Sequence, residues 1–467
     1  MMRSSEMSGD LIRGVSGSFG VQVIGMVLSL ASGVVLARAL GVTSYGYYAY
    51  ALAWLELFKV PVVFGYPLLI QRELAVLSAR GEWGVVRGLL RRTNQSVLAI
   101  AVVLVIGVLA VGRMSTNTIF GNPQQFEVLE AAVLMLPMLG VSGVRIGALN
   151  GLHRATQGLL PENIVRPLVA LLGVGALWSA LGQRVTPEQA MIVQVGALAV
   201  SFAVGAILLK QALPSGLASH AHVYRSKEWL KAVLPFLLTG GAFAVWGTLG
   251  VLFLGHYRTP AEVGVYRVAT TVAMLTQMPV MACNITIAPL IARLYAERQH
   301  ARLQTIVSWS TIAMVVTSLA ALLGCLVVGH FLLGFVFGSQ FAQGYLALVV
   351  LVVGYFAYST IWTVMVTCDM TGHQRFSLYS LLSSAALNLL LASILIPKFG
   401  MTGAAAATTL SWFLGHLWLV PVLRRKTGLH TTVIFALAQA RVAVRAHGEA
   451  GTWPVTGGPA CGGDETR

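Results

Sequence analysis

Three ionisable side chains lie within apolar segments that are long enough to cross a lipid bilayer. Glu56 and Lys59 are three positions apart near the middle of an apolar run over 45–70, and Arg267 lies in another run over 262–290. A charge in the hydrocarbon core costs several kcal/mol, so such residues are functional candidates by default. We therefore treat Lys59 and Arg267 as candidate ligand-binding cations. Glu56 is a candidate for tuning Lys59 or for coupling to protons or sodium ions.

Each of these residues also has a purely structural explanation. Glu56 and Lys59 are spaced as an i,i+3 pair, which can neutralise itself on one helix face and hold neighbouring helices together. Arg267 lies about one turn from the predicted outer interface, where a long side chain can extend to the headgroups. Both alternatives stay open at the level of sequence.

The composition is that of a polytopic membrane protein. Hydrophobic residues make up 57% of the 467 residues, charged residues only 10%, and the mean hydropathy is +0.78. A soluble domain carries about 25% charged residues. A helix needs about 20 apolar residues to cross a bilayer. The apolar runs therefore predict twelve spans, at 15–37, 45–70, 94–112, 127–149, 164–182, 188–209, 232–255, 262–290, 305–328, 343–367, 376–396 and 401–423.

The charge of the connections alternates along the chain and predicts its orientation. Lys and Arg outnumber Asp and Glu by 31 to 16, and 21 of the cations precede the tail on one side of the predicted bundle. That side includes the groups Arg72 to Arg92, Arg145 to Arg166 and Arg293 to Arg302. The other side has only five cations: Arg38, Arg113, Arg184, Arg258 and Lys398. Because cations accumulate in cytoplasmic loops, both termini are predicted to be cytoplasmic.

Several classes of function are disfavoured by the sequence. The positive charge follows the topology, so no nucleic-acid partner is expected. The four cysteines (Cys283, Cys325, Cys368 and Cys461) are isolated, and no His, Cys and acid cluster predicts a metal site. No GxxxxGK[ST] motif is present, and no outer loop exceeds about fifteen residues, which leaves no room for the external domain of a polymerase or ligase. We expect no catalytic residues, no cofactor and no enzymatic activity.

An internal repeat divides the chain into two halves. "VVLARALGVTSYGYYAYALA" in the first half corresponds to "VLFLGHYRTPAEVGVYRVATTVA" in the second at an offset of 218 residues. Six spans followed by six in the same orientation form a parallel repeat, and transporters of this plan bind substrate between the halves. The sequence predicts an all-α protein with two six-helix lobes at 1–210 and 232–425, a cytoplasmic linker at 211–231, and a cytoplasmic tail at 426–467 that is first amphipathic and then disordered.

The segments "VVLARALGVTSYGYYAYALAWLELFKVPVVFGYPLLIQRELA", "GALNGLHRATQGLLPENIVRPLVALLG" and "LNLLLASILIPKFGMTGAAAATTLS" resemble bacterial oligosaccharide flippases. These belong to the larger superfamily of multidrug, oligosaccharidyl-lipid and polysaccharide exporters. The resemblance implies translocation of undecaprenyl-pyrophosphate-linked oligosaccharide, an O-antigen, capsule or exopolysaccharide repeat unit, from the inner to the outer leaflet of the bacterial cytoplasmic (inner) membrane. It also implies alternating access through a cationic central cavity. The alternative within the superfamily is a cation-coupled antiporter of drugs or other small molecules.

The resemblance implies that the ligand of the candidate cations is the pyrophosphate of the substrate. A pyrophosphate must cross about 30 Å of hydrocarbon, and Lys59 and Arg267, with Glu56 beside them, are the predicted substrate-binding residues. Subtracting the repeat offset from 267 gives Ala49, so the two cations differ in depth by about ten residues, or ~15 Å of helix. Expected partners are the lipid-linked oligosaccharide, membrane lipids, and a polysaccharide polymerase or export machinery.

Overall fold

The computed structural model describes residues 4–63, 65–114, 123–182, 185–214, 216–217 and 221–439. The expected disorder of the Gly-rich end of the tail lies outside these residues. No strand occurs within the described ranges. The helices are α1 Ser4–Val63, α2 Tyr66–Ala79, α3 Trp83–Met114, α4 Pro123–Val133, α5 Leu136–Gly151, α6 Ala155–Leu160, α7 Arg166–Leu181, α8 Pro187–Ala212, α9 Ser226–Tyr257, α10 Pro260–Leu275, α11 Met278–Ala296, α12 His300–Phe331, α13 Tyr345–Ser359, α14 Thr363–Met370, α15 Gln374–Leu417 and α16 Leu419–Thr427.

The helices account for twelve crossings. Nine helical stretches of the described chain are long and apolar enough to cross a membrane. Two of them, Gly20–Ala79 and Gln374–Thr427, each contain two predicted spans. A single glycine with positive φ separates those spans, Gly41 (φ 71°) in α1 and Gly400 (φ 57°) in α15. The remaining crossing is broken into α10 and α11. The prediction of about twelve membrane helices is confirmed.

The second and eighth spans are both interrupted, as their prolines predict. The second span breaks between α1 and α2 at Gly65, which has φ of 95°. The eighth breaks between α10 and α11. The helix that follows each break has a proline in its first turn, where the missing N–H leaves no hydrogen bond unmade. The second and eighth crossings therefore each consist of two helical segments.

The internal repeat is visible where α1 crosses α10. Gly46 and Gly264, which are 218 residues apart, face each other at the crossing. A Cβ on Gly46 would collide with the carbonyl oxygen of Pro260, and a Cβ on Gly264 with that of Val42. Backbones of membrane helices approach this closely only at small residues. The predicted offset thus relates two glycines at which the backbones of the two halves come into close contact.

The predicted inner connections lie together at one face. The segment before α9 packs on the start of α3, where Val223 donates its N–H to the carbonyl oxygen of Gly84 at 3.2 Å and Arg225 pairs with Glu82 at 3.2 Å. The chain after α16 folds back onto α12, and His430 donates its N–H to Oε1 of Gln304 at 2.8 Å. The two connections thus pack against the starts of α3 and α12.

Candidate functional site

A cavity of about 900 Å³ lies between the two halves. The first half contributes side chains from α1, from the start of α7 and from α8, and the second half contributes α9, α10, α13 and α15. Three charged residues, Glu162, Arg166 and Arg267, are found among the described residues that line it. Two cations and one carboxylate give this lining a formal charge of +1.

Arg267 lies on the wall contributed by the second half. It belongs to α10, is half-buried, and lines the cavity as a ligand-binding cation is expected to. Its neighbour Tyr266 is buried and bonded to Thr408 at 3.3 Å, which fixes the turn of α10 that presents Arg267. Within the described ranges the guanidinium has neither an ion-pair nor a hydrogen-bond partner. It is thus a cation available to a ligand.

Glu162 and Arg166 lie on the wall of the first half and form an ion pair. Nη1 of Arg166 is 3.1 Å from Oε2 of Glu162, and Ser201 lies 3.5 Å from the other carboxylate oxygen. The pair is held by a π-helical turn over Pro161–Val165 that connects α6 to α7. Pro161 cannot donate to the preceding turn, so the helix widens there instead of continuing as a regular α-helix. The widened turn presents both charges to the cavity.

The two arginines share a neighbour. Tyr48, on the second span of α1, contacts Gln194 and is within the electrostatic influence of both Arg166 and Arg267. Tyr48 and Gln194 also line the cavity. A ligand beside Tyr48 would therefore meet cations from both halves.

The structure places the other two predicted residues elsewhere. Nζ of Lys59 lies 2.9 Å from both carboxylate oxygens of Glu56, and the two side chains are 20% and 44% exposed. Neither residue is among those that line the cavity described here. The ion pair anticipated as the structural alternative is therefore formed.

The second half gives the cavity an aromatic wall. Six of its aromatic side chains line the cavity, contributed by α9, α13, α15 and the turn before α14: Phe243, Trp246, Tyr355, Tyr358, Trp362 and Trp412. The rings of Trp246 and Trp412 are in contact, tilted by 35° with their centroids 4.0 Å apart. Among the apolar residues of its own lining, the first half contributes the hydroxyl and amide groups of Gln22, Ser29, Ser32, Asn163 and Gln194. The two walls thus differ in chemistry.

The α1–α10 crossing lies at the end of the cavity that the charge pattern assigns to the outside. Tyr45 and Tyr48 line the cavity, whereas Gly46 between them packs against α10. Phe341 meets Tyr45 edge to face at 6.0 Å and covers this end further. Side chains and backbone of the two halves are thus in contact at the predicted outer end.

Sequence reasoning missed three features of this site. Arg166, near the start of the predicted span over 164–182, is counted only among the inner-side cations in the charge pattern, whereas the structure shows that it begins α7 and lines the cavity. Glu162 was overlooked with it, although "LLPENIVRPL" carries a signal, a proline inside an apolar run followed by an i,i+4 acid and base. The aromatic wall has no local signal, since its members come from three distant segments. In the described part of the chain no three His, Cys, Asp or Glu residues are grouped as metal ligands.

Known proteins resemble this chain over most of its length. Residues 11–295 match the family described as polysaccharide biosynthesis protein, and residues 235–394 match the MatE family. The probable low-salt glycan biosynthesis flippase Agl15 of Haloferax volcanii is 24% identical over 403 residues, which are 86% of this chain and 81% of Agl15.

Solved transporters share the fold. An inward-facing multidrug resistance MATE family transporter of the MOP superfamily aligns with a TM-score of 0.71 at 12% identity, over 86% of this chain and 94% of its own. The lipid II flippase MurJ in an inward closed conformation aligns at 0.70 and 14% identity, over 93% of each chain. An outward-facing MATE transporter aligns at 0.62 and 14% identity, over 89% of this chain and 96% of its own. At these identities the likeness shows the fold alone.

The twelve crossings, the paired halves and the central cavity are features of transporters, and the match over residues 11–295 covers more than half of the 467 residues. The chain is therefore a membrane transport protein of the polysaccharide biosynthesis family, within the superfamily of multidrug, oligosaccharidyl-lipid and polysaccharide exporters.

Proposed function

We propose that this protein moves a lipid-linked oligosaccharide from the inner to the outer leaflet, with the pyrophosphate of the substrate in the central cavity. The name of the Haloferax relative and that of MurJ both describe flippases. We propose undecaprenyl pyrophosphate as the carrier and an O-antigen, capsule or exopolysaccharide repeat unit as the cargo. The protein would act in a bacterial cytoplasmic membrane, with both termini cytoplasmic.

The observation that carries this proposal is the guanidinium of Arg267, which has no partner among the described residues and lies in a cavity between two transporter halves. An unpaired cation away from bulk water is costly, and a phosphate is the anion that arginine recognises best, through paired N–H donors. The lipid tail can stay in the bilayer while the cavity holds only the headgroup. A cavity of about 900 Å³ is at the upper end of the range that suits a small ligand.

Arg166 supplies a second cation whose availability is conditional. Its partner Glu162 accepts 3.1 Å and 3.5 Å hydrogen bonds from Arg166 and Ser201. A pyrophosphate entering the cavity can replace Glu162 as the partner of Arg166, because it carries more charge and more acceptor atoms than a carboxylate. Substrate binding then exchanges one ion pair for another.

Lys59 and Glu56 remain in the proposal as residues that meet the substrate in another stage of transport. Halves that rock about the α1–α10 crossing would change what faces the centre, as in other transporters with repeated halves. The lobes are proposed at 1–210 and 232–425, joined through the linker at 211–231. Partners that make or polymerise the glycan would act before and after this step.

A cation-coupled drug antiporter is the second candidate. The MatE match over 235–394 and the TM-score of 0.71 to a multidrug transporter favour it. Cationic drugs call for an uncompensated acid in the cavity. The carboxylate that lines this cavity, Glu162, is already paired with Arg166. The flippase is therefore the better supported reading.

Complementation of a flippase-deficient bacterium tests the proposal. The strain would carry wild type, Arg267→Ala, Lys59→Ala or Lys59→Arg, with Arg302→Ala, an exposed arginine outside the cavity, as the matched control. We expect surface glycan from wild type and Arg302→Ala, and at least a tenfold loss with Arg267→Ala at equal protein level.

The lysine variants test the remaining site assignment separately. Loss of glycan with Lys59→Ala and its return with Lys59→Arg would support Lys59 as a substrate ligand. Normal export by every variant would contradict the assignment of both cations. A wild-type protein that fails with several glycan donors but exports cationic dyes would favour the antiporter.

A further inference from the structure

The aromatic wall of the cavity has no role in binding a phosphate. Phe243 is 40% exposed and Trp246 is half-buried, so both present ring surface to the space. Together with the more deeply placed Trp412 and Tyr358 they form what we call the aromatic platform. The negatively charged pyrophosphate makes no favourable contact with the faces of aromatic rings. The platform is therefore suited to another part of the ligand.

Trp246 is held rigidly in this platform. Its indole N–H donates to the carbonyl oxygen of Thr408 at 3.2 Å, and its ring packs against that of Trp412 at a tilt of 35°, with 4.0 Å between centroids. Nδ2 of the fully buried Asn388 donates to the backbone oxygen of Trp246 at 3.0 Å. The ring is therefore fixed through one face, one edge and its own backbone.

A second layer supports Trp412 from behind. The ring of His416 lies 4.5 Å from that of Trp412, and Nδ1 of His416 is 2.8 Å from the carbonyl oxygen of Trp412. Ser384 bonds the same nitrogen at 3.1 Å. Tyr358 completes the layer at 5.4 Å from Trp412. Because folding has already ordered these rings, a ligand that stacks on them loses little of its binding energy to immobilising side chains.

The platform and the wall opposite it match the two surfaces of a sugar ring. A pyranose presents C–H groups on its faces and hydroxyl groups around its rim. The face of an aromatic ring is electron-rich and attracts polarised C–H groups, whereas the hydroxyls need hydrogen-bond partners. The opposite wall supplies these partners through Gln22, Ser29, Asn163 and Gln194.

We propose that the aromatic platform binds the glycan of the substrate by stacking a sugar ring on Trp246, beside the site at which the arginines hold the pyrophosphate. This rests on the flippase function proposed above and adds a second recognition site to it. The platform selects rings with an unbroken face of axial C–H groups, as in β-linked glucose and N-acetylglucosamine. An axial hydroxyl on the stacked face would lose contact with the indole.

Binding to two matched probes tests the platform. One probe is a short polyprenyl pyrophosphate that carries a β-linked N-acetylglucosamine disaccharide, and the other is the same polyprenyl pyrophosphate without sugar. The full-length protein would be purified in lipid nanodiscs as wild type, Trp246→Leu, Trp246→Phe and Trp309→Leu. Trp309 is 55% exposed on α12 and outside the cavity, which makes it the matched tryptophan control.

We expect wild type to bind the glycosylated probe more tightly than the bare one. Trp246→Leu should weaken the glycosylated probe about tenfold, within the range measured for aromatic contacts, and leave the bare probe unchanged. The affinity of Trp246→Phe for the glycosylated probe should lie between those of wild type and Trp246→Leu, because phenylalanine keeps a smaller aromatic ring. Trp309→Leu should bind both probes like wild type.

The outcomes separate this proposal from the function on which it rests. If wild type binds both probes equally, or if Trp246→Leu and Trp246→Phe bind the glycosylated probe like wild type, the platform is refuted while the pyrophosphate site stands. An equal loss for both probes would mean that Trp246 only maintains the cavity, which also refutes the platform. If wild type binds neither probe, the flippase function fails, and the platform with it.

Discussion

The two halves of the molecule share a scaffold but not a set of charges. Gly46 and Gly264 occupy equivalent positions of the repeat and meet at the crossing of α1 and α10. One turn further along, Arg267 of the second half is matched by Ala49 of the first, and both line the cavity. The cation of the first half is Arg166 on another helix, and unlike Arg267 it has a carboxylate partner. The repeat has kept the residues that join the halves, whereas those that face the ligand have diverged.

Enlarging either Gly46 or Gly264 would disrupt the contact between α1 and α10, and we expect it to have the largest effect on stability. Gly46→Val and Gly264→Val each push a side chain into the backbone of the other helix, so each should destabilise the protein by about 2 kcal/mol or more. Thermal unfolding of the purified protein measures this. Gly107→Val in α3, where a Cβ meets nothing within 4 Å, is the control. A marked difference between the two crossing variants would contradict their equivalence.

Removing each arginine sharpens the difference between the halves. Arg166→Ala leaves the partly buried carboxylate of Glu162 without its cation, at a cost of about 1–3 kcal/mol. Arg267→Ala removes a charge that has no partner in the described structure, so its stability should equal or exceed that of wild type. The same unfolding assay measures both variants. Equal destabilisation by the two would show that Arg267 has a structural partner after all.

Neutralising Glu162 tests whether its pairing restricts Arg166. Glu162→Gln keeps the shape of the side chain but frees the guanidinium, and we expect two- to fivefold tighter binding of inorganic pyrophosphate, a change of about 0.5–1 kcal/mol. Isothermal titration of the purified protein gives the affinity. Glu188→Gln, an acid in the first turn of α8 and outside the cavity, serves as the control. Weaker binding by Glu162→Gln would mean that the carboxylate positions Arg166 for the ligand.

The Glu56–Lys59 pair has the smallest expected effect on stability. Both side chains are partly exposed, and a pair of this kind contributes about 0.5 kcal/mol or less where water reaches and screens it. A double-mutant cycle of Glu56→Gln and Lys59→Gln, followed by thermal unfolding, isolates that contribution. A coupling energy of several kcal/mol would instead indicate that Glu56 and Lys59 form a buried structural pair. Lys59 would then not be a cation available to a ligand, as Arg267 is.

The sequence predicted the scaffold well because membrane helices follow simple rules. Apolar runs predict the twelve crossings, and the offset of 218 residues relates Gly46 to Gly264, which meet at the α1–α10 crossing. The site was predicted less completely. Arg267 was found because it is isolated in an apolar run, whereas Arg166 lies near the start of the predicted span over 164–182, where a cation is also explained by the orientation of the chain. Phe243, Trp246, Tyr358 and Trp412 meet only through tertiary packing, which no local pattern reports.

The charge of the cavity has an electrical consequence for the proposed cycle. The described lining carries +1 when empty, from Arg166 and Arg267 against Glu162. A pyrophosphate diester adds two negative charges, so the loaded cavity carries −1. The loaded and empty carriers therefore respond in opposite directions to a membrane voltage. A voltage that is negative inside favours outward movement of the loaded form, at about 2.3 kcal/mol per charge for each 100 mV. The same voltage favours return of the positively charged empty form toward the cytoplasm. The membrane voltage therefore favours both the loaded and the empty step of the proposed cycle.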